Sequence, residues 1–508
     1  TYTVVSSKGL SIRYMPKNHI FDHTGNCFFE VREEHESLLG IILSRPFVSM
    51  CKTISGSVSF EVGELKKVPI PDPFTADTKC INPSRYENFP ELPIYRFLLY
   101  TPVDPITLSG IAEDCIAIKK ALYAFHIMER DFRHDPLTWA LSKLREEGKP
   151  LNVTDALKTF FRYKAELEAR LLLNEALNDE LVFKLYGLLP DEMTLTGALA
   201  HLGLLDNPET GPSREAENGD LSAVLEVLTS EGVPVGAYPP RALTGEERAA
   251  VARLYLNHRH DRGSDRSEAI SGMDFGIVEE LSAAFKVSPL TVAQEIALIE
   301  ELPPEAAKDA LSEHIQALAI DILRKDPDGI LPLGADTSES SLRDRIIEQW
   351  RAMGIGQSYH ELENLLGKRL EAYLLKDFFK DHSKRFQNRP ILWHLVSDEG
   401  NVNFFILHHA WSYDRLLLLK SKYLGDVKRA LDNTLATETD EMKREKLIQR
   451  MAELERFADT LGALLDGSYQ PKTDDGVAKN IAPLQHKGLL KYNPLSGKMV
   501  DKMLKVKW

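Results

Sequence analysis

Hydrophobic and polar residues alternate through residues 1–75 as they do in half-buried strands, most plainly in LSIRYMP and SVSFEVGEL, with interruptions at Gly25, Gly56 and Gly63. Between those runs Leu38, Leu39, Ile42, Phe47 and Met50 fall at helical spacing, predicting a helix over 34–54 that Pro46 kinks or restarts. The prolines of KKVPIPDPF end this sheet-forming stretch. From about residue 105 the period changes: IAEDCIAIKKALYAFHIMERDF and VTDALKTFFRYKAELEARLLLNEALNDELVFKLYGL carry apolar residues at i, i+3, i+4 and i+7, the second long enough for two helices. Residues 206–220, DNPETGPSREAENGD, read as a surface loop. Helices return over 244–326, break at 327–341, and resume around 342–353 and 358–382. PILWHLV and VNFFILHHA then predict a strand pair turned by Asp398, Glu399, Gly400 and Asn401. A helical hairpin follows, whose second arm carries Leu447, Met451, Leu454, Ala458, Leu461 and Leu465 in the seam of an antiparallel coiled coil. The tail, DDGVAKNIAPLQHKGLL, is expected to pack back on the body of the protein.

These elements predict an α+β, mostly helical chain in three parts. They are a small strand-containing unit over residues 1–100, a helical middle over 101–340, and a C-terminal α/β piece with a long helical hairpin over 341–508. No segment of 20 to 50 residues recurs, which excludes a repeat solenoid. At 508 residues, 43% hydrophobic and 27% charged, the composition is that of a globular protein. No apolar run reaches the roughly 18 to 20 residues of a membrane span and no basic-then-apolar leader opens the chain, so a cytoplasmic protein without a membrane partner is expected. Cys27, Cys51, Cys80 and Cys115 lie too far apart for a paired-thiolate metal site and are expected to be reduced, mostly buried thiols. The opening TYTVVSSKGLSIRYMP reads like the interior of a domain, and the chain is expected to be a piece of a longer protein.

Charge changes the picture more than composition does. The net charge of −14 divides into 0 over residues 1–100, −19 over 101–340 and +5 over 341–508. An acidic middle separates two segments that can each turn a local basic face to DNA.

Motifs that carry chemistry are few in the sequence. The chain has no Gly-x-Ser-x-Gly elbow, no GxxxxGK phosphate loop and no Gly-rich dinucleotide turn; Gly354 and Gly356 in AMGIGQS read as a helix-ending turn. His258 with His260, and His408 with His409, lack a spaced third ligand for a metal. Glu61, Glu64 and Lys66 offer a Glu-x-Lys pair after a strand but no upstream acidic partner for a nuclease. Adenine methylation uses an Asn-Pro-Pro-aromatic loop around the flipped base. The Asn-Pro pairs here continue as Asn82-Pro83-Ser84, Asn207-Pro208-Glu209 and Asn493-Pro494-Leu495, and none fits.

Two ends of the chain nevertheless resemble one family. VSSKGLSIRYMPKNHIFDHTGNCFF, LLGIILSRPFVSM and SVSFEVGELKKVPIP are similar to the region that follows the catalytic domain in PglX-type adenine-specific DNA methyltransferases and related type IIG restriction-modification enzymes. LEAYLLKDFFKDHSKRFQNRPILWHLVS, FFILHHAWSYDRLLLLKSKYL and TDDGVAKNIAPLQHKGLL resemble, in order, the C-terminal half of the same enzymes. The middle, residues 100–340, matches only in helical character. The resemblance implies the target-recognition portion of an adenine-N6-specific DNA methyltransferase of a restriction-modification or BREX- or DISARM-like phage-defence system. It places S-adenosylmethionine on a catalytic domain upstream of Thr1 and no cofactor on this chain. The implied partners are double-stranded DNA, the methyltransferase catalytic domain or subunit, and other defence-system proteins. The methyl-donor and Asn-Pro-Pro-aromatic motifs are absent, so methyl transfer is not implied for this chain alone.

DNA binding asks for Lys and Arg facing phosphates and polar side chains reaching base edges. In the first unit Arg13, Lys17, Lys52, Lys66 and Lys67 are candidates, with Tyr14, Asn18 and His19 as polar readers; solvated strand edges explain them equally. In the C-terminal part Lys376, Lys380, Lys384, Arg385 and Arg389 recur every four or five residues and form either a basic stripe or, with Asp377 and Asp381, an ordinary ion-paired helix face. Phe378, Phe379 and Phe386 are expected in the core, and Arg415, Lys420 and Lys422 are expected to touch phosphates or simply solvent. VEELSAAFKVSPLTVAQEIALI has helix-turn-helix spacing with Ser288 as a cap, but its second helix presents Thr291, Gln294 and Glu295 and no cation, so a plain helical corner is favoured. The alternative to a DNA reader is a non-catalytic scaffold that joins defence proteins through the acidic helical middle.

Overall fold

The structure is a computed structural model that describes residues 2–3, 25–26, 35–55, 67–70, 105–186, 242–261, parts of 281–296, 302, 304–334, 339–467 and 469–506. LSIRYMP, SVSFEVGEL, the loop at 206–220 and the candidates Arg13, Tyr14, Lys17, Asn18, His19 and Lys66 lie outside these residues. In chain order the elements are β1 (Tyr2–Thr3), β2 (Gly25–Asn26), α1 (His35–Leu43), α2 (Arg45–Ser55), α3 (Pro105–Tyr123), α4 (Pro136–Glu146), α5 (Val153–Leu185) and α6 (Gly245–Asp261). There follow α7 (Pro304–Lys325), β3 (Ile330–Pro332), α8 (Leu342–Ala352), α9 (Tyr359–Leu366), α10 (Leu370–Lys376), α11 (Phe378–Arg385), β4 (Leu392–Val396) and β5 (Asn403–Leu407). The last are α12 (Tyr413–Leu418), α13 (Leu424–Thr437), α14 (Glu441–Leu465), α15 (Val477–His486) and α16 (Gly497–Leu504). The described residues are mostly helical with small antiparallel sheets, the α+β class that the pattern predicts. Among them no single helix is long and apolar enough to cross a membrane.

The chain divides into two compact units that are not consecutive segments. One holds Thr1–Tyr123 with Phe161–Glu301, the other Ala124–Phe160 with Leu302–Trp508. In the first, Ile41, Ile42 and Phe47 of the α1–α2 pair share a core with Leu108, Ile111, Val182, Val251, Val287 and Val292. Pro46 restarts the helix as expected, and the segments on its two sides meet at a 60° bend. Ser44 makes the joint: its hydroxyl donates to the Ile41 carbonyl at 2.6 Å and accepts from the Phe47 amide at 3.5 Å. Gly40 lets α5 approach α1 closely. Asn178 Nδ2 donates to the Gly40 carbonyl at 2.8 Å, and a Cβ on Gly40 would stand 2.7 Å from Asn178 Oδ1.

In the second unit a charged and aromatic chain joins three helices. The Asp135 carboxylate caps α4, accepting from the amides of Leu137 and Thr138 at 3.1 and 3.0 Å, and also meets His314 Nδ1 of α7 at 2.8 Å. Trp350 Nε1 of α8 donates to His314 Nε2 at 2.8 Å, so the ring proton sits on Nδ1 and points at Asp135. The predicted strand pair is present, antiparallel, with Trp393 opposite Ile406 and Leu395 opposite Phe404. A third strand, β3, pairs with the other edge of β5, Ile330 opposite Ile406, within what the sequence reads as a break at 327–341. The tail packs back as expected and completes the sheet: the Val396 amide donates to the Leu489 carbonyl at 2.9 Å and the Lys491 amide to the His394 carbonyl at 3.1 Å. The helical stretch predicted over 358–382 is instead three helices, because Gly367 takes a left-handed φ of 74° at the end of α9 and the backbone breaks again at Asp377.

The coiled-coil seam of α14 packs on this sheet. Leu454, Leu461 and Leu465 are buried there with Phe457, and Leu447, Met451 and Ala458 are partly buried against the same core. One polar side chain crosses from helix to strands. Glu453, fully buried, accepts from the Ser397 hydroxyl, the Asn401 amide at 3.0 Å and Asn401 Nδ2 at 2.7 Å, clamping the β4–β5 turn. Outside it Arg456 grips Asp398 at 2.7 Å and Glu399 at 2.8 Å. Glu453→Gln replaces one of the two accepting oxygens with an NH2 that faces a donor, and is expected to cost about 1–3 kcal/mol, measured as the shift in urea unfolding.

Candidate nucleic-acid interface

The basic stripe of the C-terminal unit is built by α10 and α11. Their apolar positions fix which way they face: Tyr373, Leu374, Phe378 and Phe379 are buried, and so are the polar His382 and Ser383. The three phenylalanines expected in the core, Phe378, Phe379 and Phe386, are all there. Lys376, Lys380 and Lys384 consequently point to solvent, four residues apart, and Arg389 is exposed beyond them. The expected acidic neighbours are engaged elsewhere. Asp377 pairs with Lys368 at 2.6 Å. Asp381, whose carboxyl burial pushes up with Asp377 adding to the rise, is held by the Tyr373 hydroxyl. Among the described residues no carboxylate forms an ion pair with Lys380 or Lys384.

Arg385 is different from its neighbours in the stripe. It turns inward, 11% exposed, onto Asp309 at 2.7 Å and Glu313 at 3.3 Å of α7. Burial drives the Glu313 carboxyl up to about 7 even though Arg385 and the Ile127 amide pull it down. Arg415 and Lys422 also meet carboxylates: Arg415 reaches Asp328 at 2.6 Å, and Lys422 reaches Asp328 at 3.0 Å and Glu339 at 2.7 Å. Tyr423 donates to Asp328 at 3.0 Å. These groups hold a π-helical turn, Leu419–Tyr423, between α12 and α13. Half-buried Lys420 in that turn lies against α14, where a Cβ on Gly462 would come within 2.5 Å of its Nζ. Lys52 and Lys67 of the other unit are exposed. In the helix-turn-helix candidate the backbone breaks at Lys286, Ser282 donates to the Val287 carbonyl at 2.5 Å, and Glu295 pairs with Arg248 at 3.1 Å.

Two solvent-facing residues escaped the sequence reading. Gln387 and Asn388, between α11 and β4, have φ of 51° and 60° and exposed side chains. The signal for them is a helix that ends on Gln-Asn where a glycine is usual.

Three histidines of the C-terminal resembling phrases, His382, His394 and His408, are buried. His382 Nε2 accepts from the Leu392 amide at 3.0 Å, and its Nδ1 faces Gln316 Oε1 at 3.3 Å. His394 Nε2 meets Asn403 Oδ1 at 2.9 Å and His408 lies against Trp393. Asn480 gives Nδ2 to the Lys472 carbonyl at 2.6 Å, and its own carbonyl accepts from Tyr469, which in turn accepts from Trp411 Nε1 at 2.7 Å. All three C-terminal phrases thus build one core.

A cavity of about 340 Å³ opens beside the β4–β5 turn, lined by Leu333, Glu371, Leu375, Asn401, Phe404, Val427 and Arg450 among others. The sheet beside it is antiparallel throughout.

No protein-family model matches the chain. The adenine-specific methyltransferase BrxX of Escherichia coli O9:H4 (strain HS) is 21% identical over 524 residues, an alignment that takes in 94% of this chain and 35% of that protein. The adenine-specific methyltransferase PglX of Lacticaseibacillus casei (strain Zhang) is 29% identical over 148 residues, 24% of this chain and 12% of that protein. The chain is therefore similar along nearly its whole length to an adenine-specific methyltransferase, and it spans about a third of that relative's length.

The buried histidines set a pH dependence. Burial holds His382 down to about 3 and His394 and His408 down to about 4, so between those values and the ordinary 6.5 the unfolded chain takes up protons that the folded chain refuses. Stability is then lost as pH falls from 6.5 toward 4, by up to roughly 1.4 kcal/mol per pH unit for each histidine. Glu313 works the other way, because a carboxyl raised to about 7 binds its proton more tightly in the folded state and gains stability as pH falls. Urea unfolding between pH 6.5 and 4.5 is expected to show a net loss on acidification, steeper in Glu313→Gln.

Proposed function

We propose that this chain is the DNA-recognition portion of an adenine-N6-specific DNA methyltransferase acting in a restriction-modification or phage-defence system. The carrying observation is the similarity to an adenine-specific methyltransferase over 94% of the chain. The solvent-facing Lys376, Lys380, Lys384 and Arg389 support the DNA-binding half of the reading, since a row of unneutralised cations at helical spacing matches the spacing of phosphates better than that of a protein partner's core. Methyl transfer, and with it S-adenosylmethionine, is assigned to the part of the relative that this chain does not span, because the sequence holds no Asn-Pro-Pro-aromatic loop and the sheets among the described residues are antiparallel, unlike the parallel sheets on which nucleotide-like donors commonly sit.

Within that assignment the basic residues divide by role. Lys380 and Lys384 bind backbone phosphates. Arg385, Arg415 and Lys422 hold helices and the π turn in place by ion pairs of their own. The partners that follow are double-stranded DNA and a methyltransferase catalytic domain or subunit.

Gel shift against a pool of random duplexes at two salt concentrations, with sequencing of the bound fraction, tests this. Wild type is expected to bind at low salt, lose affinity steeply with salt, and enrich a motif. K380A/K384A is expected to lower the slope of log affinity against log salt by about 0.9 for each phosphate contact removed. No binding even at low salt would overturn the reading and favour a scaffold that works through the net −19 of residues 101–340.

A further inference from the structure

Most left-handed helix ends among the described residues carry a glycine; Lys286 at φ 52° is a single-residue exception, and the end of α11 is the one place where two consecutive non-glycine residues take the conformation. α4, α8, α9 and α15 are each followed by a glycine in the left-handed region, Gly148, Gly354, Gly367 and Gly488, at φ of 67°, 86°, 74° and 69°. That is the residue for which the conformation is free of steric cost. After α11 the same region is occupied by Gln387 at 51° and Asn388 at 60°. Two consecutive side chains are thus kept where none would be cheaper.

The loop is nonetheless rigid. The Gln387 amide donates to the Lys384 carbonyl at 3.0 Å, the Asn388 amide to Ser383 at 2.7 Å, and the Arg389 amide to Phe386 at 2.8 Å. On one side Phe386 packs on His382 with ring centroids 4.3 Å apart, and on the other Trp393 Nε1 donates to the Pro390 carbonyl at 2.9 Å. The side chains of Gln387, Asn388 and Arg389 all face solvent from this fixed frame.

Their chemistry is that of base readers. Asn and Gln amides match the N6 and N7 edge of adenine, and the Arg fork matches O6 and N7 of guanine. A helix carboxyl end repels phosphate, so uncharged amides at its tip suit base edges, while the charged Lys380 and Lys384, one turn apart on the exposed face of α11, suit the backbone. We propose that Gln387, Asn388 and Arg389 form the base-reading loop of this chain, inserted into the major groove of duplex DNA to discriminate purines. The inference rests on the DNA-binding reading above and names the residues that would give it sequence specificity.

The test uses the 508-residue chain, wild type against Q387G/N388G and, separately, R389K, in selection from random duplexes and in thermal unfolding. The double glycine variant is expected to unfold at a higher temperature, to keep low-salt affinity for random duplex within threefold, and to lose at least tenfold of the wild-type motif enrichment. R389K, which keeps the charge and the fold but not the fork, is expected to lose enrichment at a guanine position only. Unchanged enrichment in the double variant, or a lower unfolding temperature, overturns the loop assignment and leaves DNA binding standing. Wild type that binds duplex without enriching any motif does the same. Wild type that binds no duplex overturns both.

Discussion

A sheet only three strands wide must find partners for its edges and cover for its faces, and the C-terminal unit is organised around that requirement. β5 lies between β3 and β4 and is paired on both sides. The outer edge of β4 is taken by residues 489–491, which arrive from the far end of the chain. The faces are covered by Phe379 of α11, by the Leu454, Phe457 and Leu461 row of α14, and by Ile481 and Leu484 of α15. Glu453 then ties the β4–β5 turn to the helix that covers it. The position of α11, and so the direction in which Lys380 and Lys384 point, follows from burying Phe378 and Phe379 against this sheet.

The same packing sorts like residues into unlike roles. Lys384 and Arg385 are neighbours in sequence, yet one faces solvent and the other closes on Asp309 and Glu313. A helical wheel separates them by only 100°, so periodicity alone groups them. What divides them is a pair of carboxylates on α7, more than seventy residues earlier, of which Glu313 is fully buried and Asp309 half-buried. Arg415 and Lys422 are likewise engaged by Asp328 and Glu339.

Much of the fold is written locally. Pro46 stops and restarts a helix because its ring forbids continuation, the β4–β5 hairpin shows in two apolar runs around a polar turn, and the α14 seam shows in its spacing of 3 and 4. β3 is invisible because Ile330–Pro332 is too short to alternate and is flanked by Gly329 and Gly334; only pairing with β5 makes it a strand. Lys368, Gly367 and Asp377 divide a region that hydrophobic period reads as continuous. Of the candidate interface, the exposed face of α11 was legible from period alone. The fate of Arg385, Arg415 and Lys422 was not, since each partner is distant in sequence, and Gln387 and Asn388 become distinctive only once their backbone angles are known.

The closing of β4 by the tail also has a meaning in time. Leu395 and its bridge partner Leu490 are separated by about 95 residues, which a ribosome takes on the order of 5 to 20 s to make. Through that interval a strand with the sequence LWHLV hangs with one edge open, and neither β5 nor the helical hairpin can supply the missing amides. The nascent chain therefore passes through a sticky stage whose length is set by translation rather than by folding, and which ends only once Leu490 has been made.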